Sequence, residues 1–331
     1  MSKVIVGAYA SAPSISMVDV QEDIEREFYQ RLMQACGDGI KGFELPYWGR
    51  SFHQYGDEFI YGTLHDSLDN IVSTMPGTIM GLSKNVHFGL ASNDQVGRNA
   101  AVSMLELLNN SLSDLNSHFG HQMVSVVQLA TAPTAVISEQ RSSVDDLASS
   151  LDEILCMDWQ GAELVIEHCD SMSSHQSKGF MSLQDELRAI ELVGGDRAIG
   201  ITINWGRSAI EGKSCQTPLD HLGIAKNSNL LRGLMFSGVC EHSEIYGSWK
   251  DSHAPLEETA RVIDFGTDNA LLNCDQIMRS FNVVNGETLG YTGFKFGYPL
   301  ESMDIESRLQ VNVDGVIYLQ QCIRHSKVSL E

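Results

Sequence analysis

Two acidic residues inside apolar runs are the most informative letters in this sequence. Glu44 stands in Gly42-Phe43-Glu44-Leu45-Pro46, and Glu167 in Leu164-Val165-Ile166-Glu167-His168. Both runs read as strands, and a carboxylate carried into a core is costly unless it is paired or functional. Each is therefore half of a structural ion pair or a group with chemistry to perform. Polar residues also end the other apolar runs: Gln128, then Asn204-Trp205-Gly206-Arg207, and finally Lys295. Between the last two lies a long polar-aromatic stretch, Cys240 to His253, which carries Glu241, His242, Tyr246, Trp249, Asp251 and His253. A loop of that length at a catalytic face acts as a lid or a substrate clamp. Tyr47, Trp48, Trp205, Tyr246 and Trp249 would give a bowl of aromatic faces with hydrogen-bonding edges, suited to the C–H face of a sugar. Arg50, in the loop after the second strand, offers a cation to a carboxylate or phosphate.

The elements that must position these residues repeat along the chain. Strand-like runs fall at Val4–Ala10, Ile40–Pro46, Val86–Ala91, Val124–Ala130, Ala162–His168, Ile199–Trp205, Arg232–Val239 and Leu289–Gly297. Most of their starts are spaced at about the length of one strand-plus-helix unit. The segments between them carry helix signals. Val20, Ile24, Phe28 and Leu32 recur at four-residue steps within Asp19–Cys36, and Gly37 stands where such a helix stops. Val102, Leu105, Leu108, Leu112 and Leu115 form a stripe within Asn99–Phe119, and Ser142-Ser143-Val144-Asp145 opens the next helix in N-cap style. Leu183–Val193, Pro218–Ala225, Leu256–Phe281 and Met303–Ile323 complete the set. Prolines 13, 46, 133 and 299 fall at or just past strand ends. Eight consecutive βα units without a compositional break predict an α/β fold, a single (β/α)8 TIM barrel spanning residues 1–331 as one domain. In such a barrel the chemistry sits on the carboxyl ends of the strands and the loops that follow.

Composition narrows the function. The chain has 331 residues, 43% of them hydrophobic, and a net charge of −21. That is ample for a buried core, and the acidic surface would be repelled by phosphate backbones and anionic lipid. Nucleic acid and membrane are therefore not expected partners. Seven cysteines without any C-x-x-C pair resemble neither a zinc ribbon nor a disulfide framework, and read as thiols of a reducing compartment. The opening Lys3-Val4-Ile5-Val6-Gly7-Ala8 mimics a short signal peptide, but fits the strand pattern better. The protein is expected to be cytoplasmic.

Two familiar motifs fail on context. Gly37-Asp38-Gly39-Ile40-Lys41-Gly42 matches G-x-G-x-x-G, yet it follows a helix and precedes a strand, the reverse of the dinucleotide-binding order. Gly206 to Ser214 imitates a P-loop with one residue too many between its glycines, and Glu211 would face the phosphates.

Two segments carry a resemblance. Val165-Ile166-Glu167-His168-Cys169 on strand five and Asn204-Trp205-Gly206-Arg207-Ser208-Ala209-Ile210-Glu211-Gly212 after strand six are similar to the xylose-isomerase-like TIM barrels, which include sugar isomerases, 3-epimerases and lyases. The resemblance implies a bacterial branch with a degenerate metal site. The epimerases of that superfamily hold a divalent metal with Glu on strand five, Asp on six, His on seven and Glu on eight. Glu167 matches the first position. Asn204 stands for the Asp, Ser237 for the His and Lys295 for the Glu, while Arg207 replaces a substrate-binding His and Glu211 agrees.

That departure leaves the cofactor open, because an amide, a hydroxyl and an ammonium are poor ligands for a hard divalent cation. By this resemblance Glu167 is the acid/base, and Lys295 and Arg207 are fixed cations that stabilise an enediolate in the metal's place. Glu44, Trp48, Gln128, Asn204, Trp205, His242, Tyr246, Trp249, Asp251 and His253 then bind substrate, a small carbohydrate. A relocated metal would draw on Glu167, His168, Asp251 and His253, although alternation puts Glu167 and His168 on opposite faces of one strand. Two rivals stand beside this reading: a Schiff-base aldolase using Lys295, and a sugar-binding pseudoenzyme. A homo-oligomer is left open.

Overall fold

The computed structural model describes residues 3–17, 20–135, 139–171, 178–194, 199–262, 270–297, 304–326 and 328–331. The chain runs through β1 (Val4–Val6), α1 (Pro13–Ser16), α2 (Glu22–Cys36), β2 (Ile40–Pro46), α3 (Asp57–Tyr61), β3 (Asn70–Ser73), α4 (Met75–Lys84) and α5 (Gln95–Phe119). β4 (Val124–Leu129), α6 (Val144–Ile154), β5 (Glu163–His168) and α7 (Leu183–Val193) follow. The last part holds β6 (Gly200–Asn204), α8 (Trp205–Gly212), α9 (Thr217–Asn227), β7 (Leu231–Phe236), α10 (Glu257–Val262), α11 (Cys274–Val283), β8 (Thr288–Leu289), β9 (Tyr291–Phe294), α12 (Ile305–His325) and β10 (Ser329–Leu330). Eight parallel strands close into a barrel in the order β1-β2-β3-β4-β5-β6-β7-β9. β8 and β10 pair separately. The fold is the expected (β/α)8 barrel. The chain also divides into two compact units, Met1–Glu44 with Ile203–Glu331, and Leu45–Thr202.

Strands of a parallel barrel are covered on both faces, so they read as apolar runs rather than as alternation. Val4, Ile5 and Val6 are fully buried, as are Val165 and Ile166. The predicted stripe of α5 is buried along its whole length, from Val102 to Leu115. Gly37 ends α2 with φ +49°, a conformation that side chains resist. The Ser143 hydroxyl accepts the Asp146 amide at the start of α6. No helix among the described residues is long and apolar enough to cross a membrane.

One strand lies elsewhere than predicted. The third is Asn70–Ser73, whereas Val86–Ala91 forms the turn between α4 and α5. Four residues are too few to show a period, while Phe88, Leu90 and Ala91 are apolar because they pack as a turn over the core. Val86, which opens that run, is exposed. The first strand is shorter than expected, since Ala8–Ala10 is already a 3₁₀ turn. Strand six likewise ends at Asn204, where α8 begins with Trp205. The predicted helix Leu256–Phe281 is two helices, α10 and α11, and residues 263–269 lie outside the described set. So do Asp19, Met303 and Pro299.

Candidate active site

Register aligns a row of residues at the carboxyl ends of five strands of the first unit. β1 pairs with β2 through Val6–Phe43 and with β9 through Val6–Phe294, so one step further on Gly7 stands beside both Glu44 and Lys295. The Phe236–Phe294 pairing places Ser237 next in the row, and Ser237 in turn touches Asn204 of β6. Gly7 has no side chain, and this allows its neighbours to meet over it. Lys295 Nζ lies 2.8 Å from Glu44 Oε1 with both side chains fully buried. A Cβ on Gly7 would fall 2.5 Å from Lys295 Cβ and 2.9 Å from Glu44 Oε2. A small residue at the end of the first strand was the one available sign of this arrangement, and sequence reasoning passed over it.

Asn204 is oriented by its own neighbours. Its Oδ1 accepts the Arg207 amide at 3.3 Å, capping α8, and the Ser237 hydroxyl at 2.8 Å. Two donors on the carbonyl oxygen turn the amide so that the NH₂ presents elsewhere, as a donor. The Arg207 guanidinium is buried, with Nε 3.4 Å from Asp251 Oδ2, and Asp251 Oδ1 is 3.3 Å from His253 Nδ1. Trp205 is fully buried, and its indole N–H meets no acceptor among the described residues. Glu211 lies 3.7 Å from His221 Nε2, whose ring also bonds Ser208 at 2.9 Å.

The loop from Cys240 to Ala254 is pinned at several points. The Trp249 amide donates to the Cys240 carbonyl at 2.9 Å, and the Ser252 hydroxyl to Tyr246 O at 2.6 Å. The Tyr246 hydroxyl reaches Gly297 O at 3.2 Å, and the Gly297 amide reaches His253 O at 2.5 Å. Trp249 (φ +48°) and His253 (φ +55°) both adopt left-handed backbone, a strained state for such side chains that a surrounding structure must hold. Tyr246 is buried, Trp249 half-buried and His242 exposed. Burial pushes the Cys240 thiol up to about 11, against a smaller lowering by its hydrogen bond with Ser243.

The second unit carries Trp48, Gln128, Glu167 and His168. β4 and β5 pair Gln128 with Val165, so Gln128, Val165 and, two residues on, Glu167 share one face of the sheet. Both polar side chains are buried. His168 takes the other face, where Nδ1 lies 2.8 Å from Glu186 Oε2 of α7. Glu186 Oε1 accepts the Thr131 hydroxyl at 2.7 Å. His168 is thus wedged between strand and helix. Trp48 is half-buried, and burial pushes the neighbouring Tyr47 phenol up to about 12.

The row at the strand ends does not fit a divalent cation. Lys295 brings a positive charge into the row, and the Asn204 oxygen is committed to two hydrogen bonds. Of the four candidates for a relocated metal, Asp251 and His253 bond each other in the first unit, while Glu167 and His168 face opposite ways in the second.

This architecture is a closed (β/α)8 barrel. The chain belongs to the family described as "Domain of unknown function (DUF4862)", whose model matches residues 5–311. It is 32% identical over 321 residues to "Uncharacterized protein STM3670" of Salmonella typhimurium, covering 97% of each chain. Among solved structures, D-psicose 3-epimerase in the presence of D-fructose superposes with a TM-score of 0.57 at 12% identity, over 98% of this chain and 99% of that one. L-ribulose 3-epimerase gives 0.57 at 15% identity, over 98% and 97%. A xylose isomerase domain-containing protein of Salmonella typhimurium gives 0.56 at 12%, over 96% and 97%. At such identities the shared property is the fold.

Proposed function

We propose that the protein is a sugar isomerase or epimerase that moves a proton next to a carbonyl on a small carbohydrate or polyol derivative, without a metal. The observation that carries this reading is the buried ammonium of Lys295, bonded to Glu44 at the carboxyl end of the eighth barrel strand. In the proposed reaction Glu167 takes the proton from the carbon beside the carbonyl. The electron pair of that C–H bond passes to the carbonyl oxygen, giving an enediolate. Lys295 and Arg207 stabilise its charge as fixed positive groups. Return of the proton to the former carbonyl carbon, as the hydroxyl proton of the first carbon passes to the former carbonyl oxygen, completes an isomerisation; delivery of a proton to the opposite face of the first carbon by a second acid on that side completes an epimerisation. Asn204 donates to a substrate oxygen, and the indole N–H of Trp205, which meets no acceptor among the described residues, serves the same end.

Substrate charge follows from pairing. Lys295 is matched by Glu44 and Arg207 by Asp251, which supports a neutral sugar over a sugar phosphate. The same pairing speaks against the Schiff-base rival, since nucleophilic attack needs a neutral amine and Lys295 is held in an ion pair.

The test is proton exchange. Incubated in D₂O with a panel of ketoses, aldoses and their phosphates, the protein should place deuterium beside the carbonyl of at least one neutral sugar, and Glu167→Gln should abolish this. Ligand-induced thermal stabilisation without exchange, unchanged in Glu167→Gln, would make the protein a binding module instead.

A further inference from the structure

Two cysteines away from the strand ends face each other across a helix pair. Cys274 opens α11, next to its N-cap residue Asn273, and Cys322 lies in the last turns of α12. The two side chains are in contact: the Cys322 thiol donates to the Cys274 carbonyl oxygen at 3.8 Å, and each thiol perturbs the other. Cys322 is buried, whereas Cys274 is half-buried and so within reach of a small solute. The Glu258 carboxylate accepts the Cys274 amide at 2.9 Å and fixes the start of the helix. The thiol–thiol bond lowers Cys322 and, with burial and the nearby Glu258 charge, raises Cys274. Because the two side chains are in contact, a thiolate formed on either sulfur has a resolving thiol beside it.

We propose that Cys274 and Cys322 are a reversible redox pair, closed by hydrogen peroxide into a disulfide that fastens α11 to α12. A thiolate of the pair attacks one peroxide oxygen: an S–O bond forms, the O–O bond breaks, and the released hydroxide takes up a proton as water. The other sulfur of the pair then attacks the sulfenic sulfur, forming the S–S bond, while the hydroxyl leaves with that thiol's proton as a second water. Two thiols are oxidised by two electrons, and one peroxide is reduced. Closure brings the two sulfurs to a covalent length of about 2.05 Å. That pull falls on a segment joined to the end of β7, because the Leu271 amide donates to Val239 O at 3.0 Å and Ala270 bridges Cys240. The switch therefore acts on the root of the loop that carries Asp251 and His253. It does not depend on the catalytic reading.

The test uses the intact protein and a hydrogen peroxide titration, followed by denaturing alkylation and peptide mapping. The exposed Cys156 is the internal control. A cross-linked Cys274–Cys322 peptide, lacking two hydrogens and restored by dithiothreitol, is expected at doses that leave Cys156 largely alkylatable. Cys274→Ser and Cys322→Ser should each abolish the cross-link, and at least one of them should accumulate a sulfenic acid at the remaining cysteine, trapped by dimedone. Full alkylation of both cysteines at doses that oxidise Cys156, or cross-links to other cysteines in their place, would overturn the proposal.

Discussion

Lys295 and Glu44 meet 2.8 Å apart over a residue with no side chain, Gly7, at the carboxyl ends of three adjoining strands. A buried pair of this kind is weak evidence for stability, since desolvation offsets much of the attraction, but removing one partner strands a charge. Lys295→Met and Glu44→Gln should each cost about 3–5 kcal/mol in urea unfolding. The double variant should recover most of that loss. Additive losses would mean that the two side chains do not act as a pair.

Gly7→Ala introduces a methyl group where Lys295 Cβ leaves 2.5 Å. The backbone of Gly7 (φ −80°) suits alanine, so the whole penalty comes from contact. Overpacking of this size costs about 1–3 kcal/mol, and thermal unfolding should show it. Sugar binding should weaken as well, because the displaced atoms belong to Lys295 and Glu44.

Trp205→Phe removes an indole N–H that meets no acceptor among the described residues, while keeping an aromatic ring in the core. Its stability should change by less than the roughly 3–5 kcal/mol of a full Trp→Ala truncation. If the N–H serves a ligand, the same variant should bind the substrate of the exchange assay about tenfold more weakly, the size of one hydrogen bond. Equal binding by Trp205→Phe would remove this residue from the site.

Alkaline pH should destabilise the fold. Burial raises the Cys240 thiol from 9.0 to about 11, and the Tyr47 phenol from 10.0 to about 12. Groups raised in this way keep their protons in the folded state after the unfolded chain has lost them. Their contribution is complete below the unfolded values and falls as pH rises through and beyond them. Urea midpoints should be flat between pH 7 and 8 and decline above about pH 9. Alkylation of Cys240 by iodoacetamide should be slow at pH 8 and rise about tenfold per pH unit toward pH 10.

The barrel was legible because seven of its eight strands announce themselves as apolar runs with helix-period segments between them. Asn70–Ser73 did not, being only four residues long, and the turn at Val86–Ala91 imitated a strand because Phe88 and Leu90 had core to cover. Glu44, Glu167, Asn204, Arg207 and Lys295 drew notice through their polarity at strand ends. What they bond to was not legible. The Glu44–Lys295 pair joins residues 251 positions apart, and only register brings them level. Gly7 was overlooked because its role is to be absent, a property that local sequence does not display. The partnership of His168 with Glu186 likewise depends on how α7 packs over β5.

The most direct test combines chelation with the two proposed catalytic side chains. Protein stripped with EDTA, and shown to be metal-free by elemental analysis, is assayed for deuterium exchange and isomerisation on the sugar identified by the screen. Full activity in the stripped protein, lost in Lys295→Met and in Glu167→Gln, is the predicted result. Activity that disappears on stripping and returns with Mn²⁺ or Co²⁺ bound stoichiometrically would contradict it.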